Sequence, residues 1–387
     1  MSAPPLTVMV VAGTRPEAIK LAPVVLALEA SPYFEAQVAL TAQHREMVDQ
    51  VMSLFAITPR HDLNIIRPGQ SLAELASRAL RGLAGLVIDD RPGAVVVQGD
   101  TTTAFAGALA AFYADVPVVH VEAGLRTGNP RSPFPEEINR RLITQLSDLH
   151  LVPTPANRTN LEAEGVDASQ IVVTGNTVID ALLWTVERTA DYGDARLAGL
   201  DIDPRRVLVV TAHRRESWGP PMEAIGAALA DLARAEPDLL IVFPLHPNPV
   251  VRQAILPAVE GLANVVTLEP LSYGSFGALL RRAHIVLTDS GGIQEEGPSL
   301  GKPVLVMRDT TERPEAVRAG TVRLVGTGRA TIVASVLELL RDEGAYRAMA
   351  RAVNPYGDGR AAERSVAAMA HFFGLGPAAV EFVPESG

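Results

Sequence analysis

Short β-branched runs alternate along this chain with longer Ala/Leu-rich segments, the pattern of βα units that build parallel sheets. In the first half the runs predict strands at 7–11, 37–40, 94–97, 116–121, 149–152 and 171–173. In the second half they predict strands at 207–210, 239–243, 265–268, 285–287, 304–306 and 322–325. Each set is enough for one sheet, so the expected fold class is α/β, with two Rossmann-like, doubly wound parallel-sheet domains. The boundary is expected between Asn176 and Pro204, where a helical segment containing Trp184 gives way to a polar stretch starting at Asp191. Two such sheets side by side leave a cleft, and ligands of open α/β sheets sit at the carboxyl ends of the strands. The Gly/Pro-rich stretch from Gly374 to Gly387 reads as a loose tail.

Composition narrows the partners. The chain has 387 residues, 48% of them hydrophobic, which is too much for one ordinary core. Its net charge is −10 and its Lys and Arg are dispersed, which argues against a nucleic-acid or anionic-membrane partner. An anionic ligand must then be held by local groups. The absence of cysteine excludes disulfides, Cys-ligated zinc and a thiol nucleophile, and fits a cytoplasmic protein. Leu6 to Ala12 runs straight into a glycine turn and reads as a first strand, not a signal segment. No apolar run approaches the roughly 18 residues of a membrane span. The HExxH, Walker A, Gly-x-Ser-x-Gly and Gly-x-Gly-x-x-Gly patterns are missing, so neither a metal nor a cofactor is expected.

One predicted strand exits into Asp289-Ser290-Gly291-Gly292-Ile293-Gln294-Glu295-Glu296. It reads as strand, glycine turn, helix. Adjacent glycines let the backbone approach a ligand, and the free N–H groups of a helix start attract anions such as phosphate. Ser290 either caps that helix or bonds a phosphate oxygen. Glu295 and Glu296 either hold ribose hydroxyls or simply suit a helix N-terminus.

The first strand ends in Gly13-Thr14-Arg15-Pro16-Glu17-Ala18-Ile19-Lys20. Thr14 followed by Glu17, with a proline in the first turn, is a capping-box signature. Arg15 opposes the helix dipole at that position, and a pyrophosphate would account for it. Lys20 is either a second ligand or a surface lysine. Further polar exits are Gln43-His44-Arg45-Glu46-Met47, Gln98-Gly99-Asp100-Thr101 and His120-Val121-Glu122. Asp100 is a site carboxylate, or else Asp100 or Thr101 is a helix cap. Strand alternation would put His120 and Glu122 on one face, and an acidic side chain inside an apolar strand is costly unless paired or used. The loop from Leu125 to Phe134 is long enough to move over a site, and it enters a helix through Pro135-Glu136-Glu137-Ile138-Asn139-Arg140. Glu136 and Arg140 share a face there, as a surface pair or as site residues.

In the second half, Thr211-Ala212-His213-Arg214-Arg215-Glu216, Leu245-His246-Pro247-Asn248 and Asp309-Thr310-Thr311-Glu312-Arg313 are the remaining polar exits. His213 and His246 leave equivalent strand ends and are expected to face the same cleft.

Taken in order, GTRPEAIK, AQHREM, QGDTTT, HVEAGLRTG, PFPEEINRR, TGNTVIDAL, AHRRES, HPNP, DSGGIQEE and GKPVLVMRDTTERPEA resemble the bacterial non-hydrolysing UDP-N-acetylglucosamine 2-epimerases over residues 8 to 370. The resemblance implies a GT-B arrangement with the active site in the interdomain cleft. Residues 1–180 would carry the catalytic carboxylates, 200–357 would bind UDP, and a helix at 358–375 would cross back to the first domain. It also implies a cytoplasmic homodimer that interconverts UDP-GlcNAc and UDP-ManNAc for cell-surface polysaccharide synthesis.

Carried onto matching positions, the resemblance makes Asp100, Glu122, Glu136 and His213 the catalytic group. Arg15, Lys20, Arg140, Ser290, Gly291, Gly292, Glu296 and Arg313 would contact UDP and sugar. Some relatives are activated by UDP-GlcNAc at a second site, whose residues match Gln43, Arg214 and His246. Two positions depart from such relatives: a Gln-x-x-Gln is Gln43-x-x-Glu46 here, and an arginine after the second helix is replaced within Ile66-Arg67-Pro68-Gly69-Gln70. Rival readings are a hydrolysing relative that releases ManNAc and UDP, an epimerase of a modified UDP-sugar, a GT-B glycosyltransferase, and a silent nucleotide-sugar sensor. The clustered carboxylates argue against the last two, because a mere binder gains little from negative charge packed beside a diphosphate.

Overall fold

The computed structural model describes residues 4–41, 45–67 and 69–384, so Gln43 lies outside the described residues. The chain divides into two units, one holding the residues up to Ala181 with Tyr356–Val383, the other holding Leu182–Pro355.

The first unit contains β1 (Leu6–Ala12), α1 (Arg15–Ala30), β2 (Phe34–Leu40), α2 (Arg45–Leu54), β3 (His61–Asp62), α3 (Leu72–Asp90) and β4 (Ala94–Gln98). It continues through α4 (Thr102–Tyr113), β5 (Val118–Val121), α5 (Glu136–Leu146), β6 (Leu149–Val152), α6 (Pro155–Ala163) and β7 (Ile171–Val173) into α7 (Thr177–Arg188), inside which the division falls. Its parallel sheet has the order β3-β2-β1-β4-β5-β6-β7. Val8 to Ala12 are no more than 1% exposed, because helices cover both faces of a parallel sheet. All six predicted strands of this half form. The seventh, β3, has only two polar residues on an edge, so no apolar run announced it.

The second unit contains β8 (Arg206–Thr211), α8 (Pro220–Ala235), β9 (Leu239–Pro244), α9 (Pro249–Val259), β10 (Val265–Leu268), α10 (Tyr273–Arg282) and β11 (Ile285–Thr288). Then follow α11 (Ile293–Ser299), β12 (Val304–Val306), α12 (Pro314–Arg318), β13 (Val322–Leu324), α13 (Arg329–Arg341) and α14 (Glu343–Ala350). The sheet order is β10-β9-β8-β11-β12-β13. Leu208 and Val210 of β8, Phe243 of β9 and Ile225 and Leu229 of α8 share its core. In both sheets the chain reverses its winding beside the first strand, between β1 and β4 and between β8 and β11. Helices on either side of that point diverge and leave the strand ends accessible.

The last helix, α15 (Ala361–Phe372), belongs to the first unit and packs against α1. Its start is held by Asp180, whose carboxylate accepts the Ala362 N–H at 2.8 Å and the Ala361 N–H at 3.2 Å. The expectation of a loose tail is overturned for part of the segment beyond it. Phe382 is 5% exposed and its N–H donates to Val173 O at 2.8 Å. The tail's composition hid one aromatic residue with a place in a core.

Candidate active site

In the first unit, Gly13 turns the chain from β1 into α1. A Cβ there would lie 2.3 Å from Thr103 Oγ1 and 2.4 Å from Thr41 Oγ1, two hydroxyls that are themselves hydrogen-bonded at 2.9 Å, so only glycine fits. Buried Glu17 then accepts the N–H groups of Thr14 at 2.7 Å and Gly13 at 3.1 Å, and the Thr101 hydroxyl at 2.5 Å. The predicted capping box therefore also ties the turn after β1 to the one after β4. Burial raises the Glu17 carboxyl pKa, with the hydrogen bonds opposing it. Arg15 is the partly buried first residue of α1, and its side chain makes no hydrogen bond or ion pair among the described residues.

Glu122 is not inside β5, as strand alternation suggested, but is the first residue beyond it, at φ +62°. A left-handed conformation of this kind typically costs about 1–3 kcal/mol and persists only where neighbours hold it. Lys20 Nζ lies 2.5 and 2.6 Å from the two Glu122 carboxylate oxygens. Asn176 Nδ2 donates to Oε1 at 3.1 Å and Gln98 Nε2 donates to Oε2. Lys20 is thus a partly buried partner of Glu122, not a free surface lysine. His120 is fully buried and donates from Nε2 to Gly99 O at 2.7 Å. Burial pushes its pKa down to about 3, so it stays a neutral ring that braces the turn carrying Asp100.

Thr101, not Asp100, caps α4. The Asp100 carboxylate instead receives Arg140, whose Nε donates to Oδ2 at 3.0 Å while Nη2 reaches the same oxygen. Asn139 Nδ2 holds the Asp100 carbonyl at 2.9 Å. Burial raises the Asp100 pKa, Arg140 pulls it down, and the negative charge of Glu122 raises it further. The Glu136–Arg140 surface pair is not formed. Arg140 is only 5% exposed and is taken by Asp100 and by Glu137, which is fully buried and also accepts the N–H groups of Thr127 and Gly128. Glu136 stands partly buried at the first position of α5, its side chain with no hydrogen bond or ion pair among the described residues.

The corresponding turns of the second unit carry the opposite character. Asp289, fully buried after β11, accepts the N–H of His213 at 2.6 Å and of Arg214 at 2.7 Å on Oδ2. Its Oδ1 lies 2.9 Å from His213 Nδ1. Burial works to raise the Asp289 pKa, but the His213 ring and the two N–H groups outweigh it and hold the carboxyl below its ordinary value. The His213 and His246 rings stack at 5.7 Å, and burial, with His213 alongside, lowers the His246 pKa. His246 Nδ1 accepts the Asn248 N–H at 3.2 Å.

Ser290 does not cap α11. Gly292 occupies the cap position without a side-chain bond, and the Ser290 N–H donates to Thr288 Oγ1 at 2.9 Å. A Cβ on Gly291 would sit 2.7 Å from Arg313 Nη1, so glycine admits the guanidinium beside the turn. Glu295 and Glu296 are not an equivalent pair. Arg313 Nε meets Glu295 at 2.5 Å, while Glu296 accepts the Tyr273 hydroxyl at 3.3 Å. Among the described residues no group of three His, Asp or Glu side chains is arranged to hold a metal ion.

Sequence reading missed Gln98, Glu137, Asn139, Asn176 and Asp289 as individual members of these clusters. Asp289 had a signal, an acidic residue directly after an apolar strand. Asn176 stood only within TGNTVIDAL with nothing to mark its partner, since that contact depends on β7 lying two strands from β5.

Two parallel sheets, with carboxylates gathered at the strand ends of one and a glycine turn with inward-facing N–H groups at the other, define an α/β protein of two Rossmann-like units. A family model for UDP-N-acetylglucosamine 2-epimerase matches residues 26–370. The chain is 54% identical over 369 residues to the UDP-N-acetylglucosamine 2-epimerase of Escherichia coli K12, covering 94% of this chain and 98% of that one. The UDP-GlcNAc 2-epimerase of Neisseria meningitidis, solved bound to UDP-GlcNAc, is 46% identical with a TM-score of 0.83, covering 95% of this chain and all (100%) of that one. The Staphylococcus aureus MnaA–UDP structure is 44% identical with a TM-score of 0.85, covering 97% and 100%. The chain belongs to the UDP-N-acetylglucosamine 2-epimerase family. Among the described residues no helix is long and apolar enough to cross a membrane.

Proposed function

We propose that this protein is a non-hydrolysing epimerase that interconverts UDP-GlcNAc and UDP-ManNAc through elimination of UDP, a 2-acetamidoglucal intermediate and re-addition. The observation that carries the reading is the pair Asp100 and Glu122 on neighbouring strand ends, close enough for the charge of one to raise the pKa of the other. The hydrogen on C2 of the sugar is not next to a carbonyl, and a carboxylate of pKa about 4 cannot remove it directly at a useful rate. Departure of UDP from C1 leaves oxocarbenium character, which acidifies the neighbouring C–H. Loss of that proton gives the glucal. Reprotonation on the other face, with UDP returning to C1, inverts C2.

Two faces call for two acid/base groups. Asp100 and Glu122 supply the carboxylates, paired with Arg140 and Lys20 respectively, with Glu136 as a third group. Carboxylates also stabilise developing positive charge, as in glycoside hydrolysis. The leaving diphosphate is assigned to Arg15, His213 and the Ser290-Gly291-Gly292 turn. One well-placed donor is worth about 3–4 kcal/mol in rate, whereas a helix terminus supplies up to about 2 kcal/mol, so the turn needs these side-chain donors. Retention of UDP between the half-reactions separates an epimerase from a hydrolase. The same reading includes a homodimer, supported by Ile88, Phe112 and Tyr113, which are 62%, 56% and 70% exposed at the C-terminal ends of α3 and α4.

Proton NMR of UDP-GlcNAc with the protein in D2O tests the proposal. UDP-ManNAc carrying deuterium at C2 is the expected product. Free ManNAc would make the protein a hydrolase, and no change without an acceptor would defeat both readings.

A further inference from the structure

We propose that the C-terminal segment Glu381–Phe382 is a positioning strap for Glu122, a role that rests on the proposed epimerase reading for its effect on turnover. β7 is the edge strand of the first sheet, and its outer side would otherwise leave backbone groups without partners. The tail supplies them. The Phe382 N–H donates to Val173 O at 2.8 Å, and the Val173 N–H donates to Glu381 Oε1 at 3.3 Å. Arg158 locks the arrangement, donating from Nη1 to Glu381 Oε2 at 3.0 Å and from Nη2 to Ile171 O at 2.9 Å. The Phe382 ring enters a cluster with Ala123, Val152, Leu161, Ile171 and Val173, and the Arg364 guanidinium lies 5.5 Å from its centre.

The strap bears on Glu122 from two directions. Ala123, in contact with the Phe382 cluster, is the next residue after Glu122, whose left-handed backbone needs neighbours to hold it. On the other side, the chain runs from Val173 through Thr174 and Gly175 to Asn176, whose Nδ2 donates to Glu122 Oε1 at 3.1 Å. The Val178 N–H occupies Asn176 Oδ1 at 3.1 Å, so the amide is oriented with its donor toward Glu122. Two of the supports of Glu122, the backbone that follows it and the Asn176 amide, therefore rest on the strand and cluster that the tail completes. Phe382 reaches no substrate in this account, and it acts through Ala123 and β7.

The test compares wild type, Phe382→Ala, Phe382→Leu and a chain ending at Gly376 by amide hydrogen exchange and by steady-state kinetics. The Ala123 N–H is bonded to Leu151 O at 3.1 Å and the Asn176 N–H to Tyr356 O at 2.7 Å, so both are protected probes. The truncated chain and Phe382→Ala should exchange about tenfold faster in peptides spanning 119–126 and 174–180, with the helices of the second unit unchanged. They should lose about tenfold or more in kcat with KM held within about threefold, as expected when a catalytic group is misplaced by a fraction of an ångström. Phe382→Leu should recover most of both. Unchanged exchange in those peptides, or uniform acceleration across the whole first unit, would overturn the proposal. So would wild-type kcat in Phe382→Ala. Localised exchange in a protein that leaves UDP-GlcNAc untouched would support the strap and refute the epimerase reading instead.

Discussion

The two sheets share a winding order around their switch points, yet they furnish those points with opposite chemistry. After β4 and β5 the first unit places Asp100 and Glu122, each held by a cation, Arg140 or Lys20. After β8 and β11 the second unit places backbone N–H groups, a histidine and a glycine turn, and the fully buried carboxylate of Asp289 faces inward to organise them. A common fold supplies only the location, while the side chains at the strand ends decide whether it handles protons or anions. Each of the two first-sheet carboxylates is paired with a cation, whereas Asp289 in the second is a buried brace for backbone N–H groups.

The largest test of that division is to neutralise the first sheet's carboxylates. Asp100→Asn and Glu122→Gln should each lower kcat by about 10²–10⁴ while UDP affinity by calorimetry stays within about threefold. Wild-type turnover in either would break the comparison at its centre. Asp289→Asn should instead weaken UDP binding as well, by about 10–100-fold, the usual loss when a hydrogen bond to a charged group is removed. An unchanged Kd for UDP would mean that Asp289 does not organise an anion site.

A third test contrasts carboxylates held by cations with one held only by N–H groups. Burial raises the Asp180 pKa to about 6, with the Ala361 and Ala362 N–H groups opposing the rise. A folded-state pKa above the unfolded one means that the native state holds the proton more tightly. The associated stability is complete below the ordinary aspartate range and is lost as pH rises through about 6. The loss between pH 4 and 7 should reach about 3 kcal/mol at most, and Asp180→Asn should flatten it in thermal melts. Parallel pH profiles in the two proteins would exclude Asp180 as the source. The smallest effect is expected from Arg140→Gln, read as a pH profile. Arg140 pulls the Asp100 pKa down, so its removal should move the acidic limb of kcat/KM to higher pH, by about one unit or less. A limb that does not move would separate Asp100 from the titration that controls the rate.

Much of this was readable before any coordinates. The twelve predicted strands all form, because a strand buried on both faces must be an unbroken apolar run, and such runs are visible in sequence. The Thr14–Glu17 capping box and the glycine turn after β11 were visible for a similar reason, since each is a local pattern with a local cause. Where reading failed, the deciding contact was distant in sequence. Arg140 looked like a partner for Glu136, four residues away, but α5 packs against α4 and delivers it to Asp100, 40 residues away. Phe382 looked like part of a Gly/Pro tail until β7 offered it an edge and a cluster.

The sequence by itself therefore determined which segments become strands, where the chain turns between them, and which polar residues stand at strand ends. These follow from backbone sterics and local burial. Only the tertiary structure decided which of those residues meet: Lys20 with Glu122, Arg140 with Asp100, His213 with Asp289, and Phe382 with the cluster beside Ala123. Strand order and helix packing bring those partners together, and neither is written in any one segment.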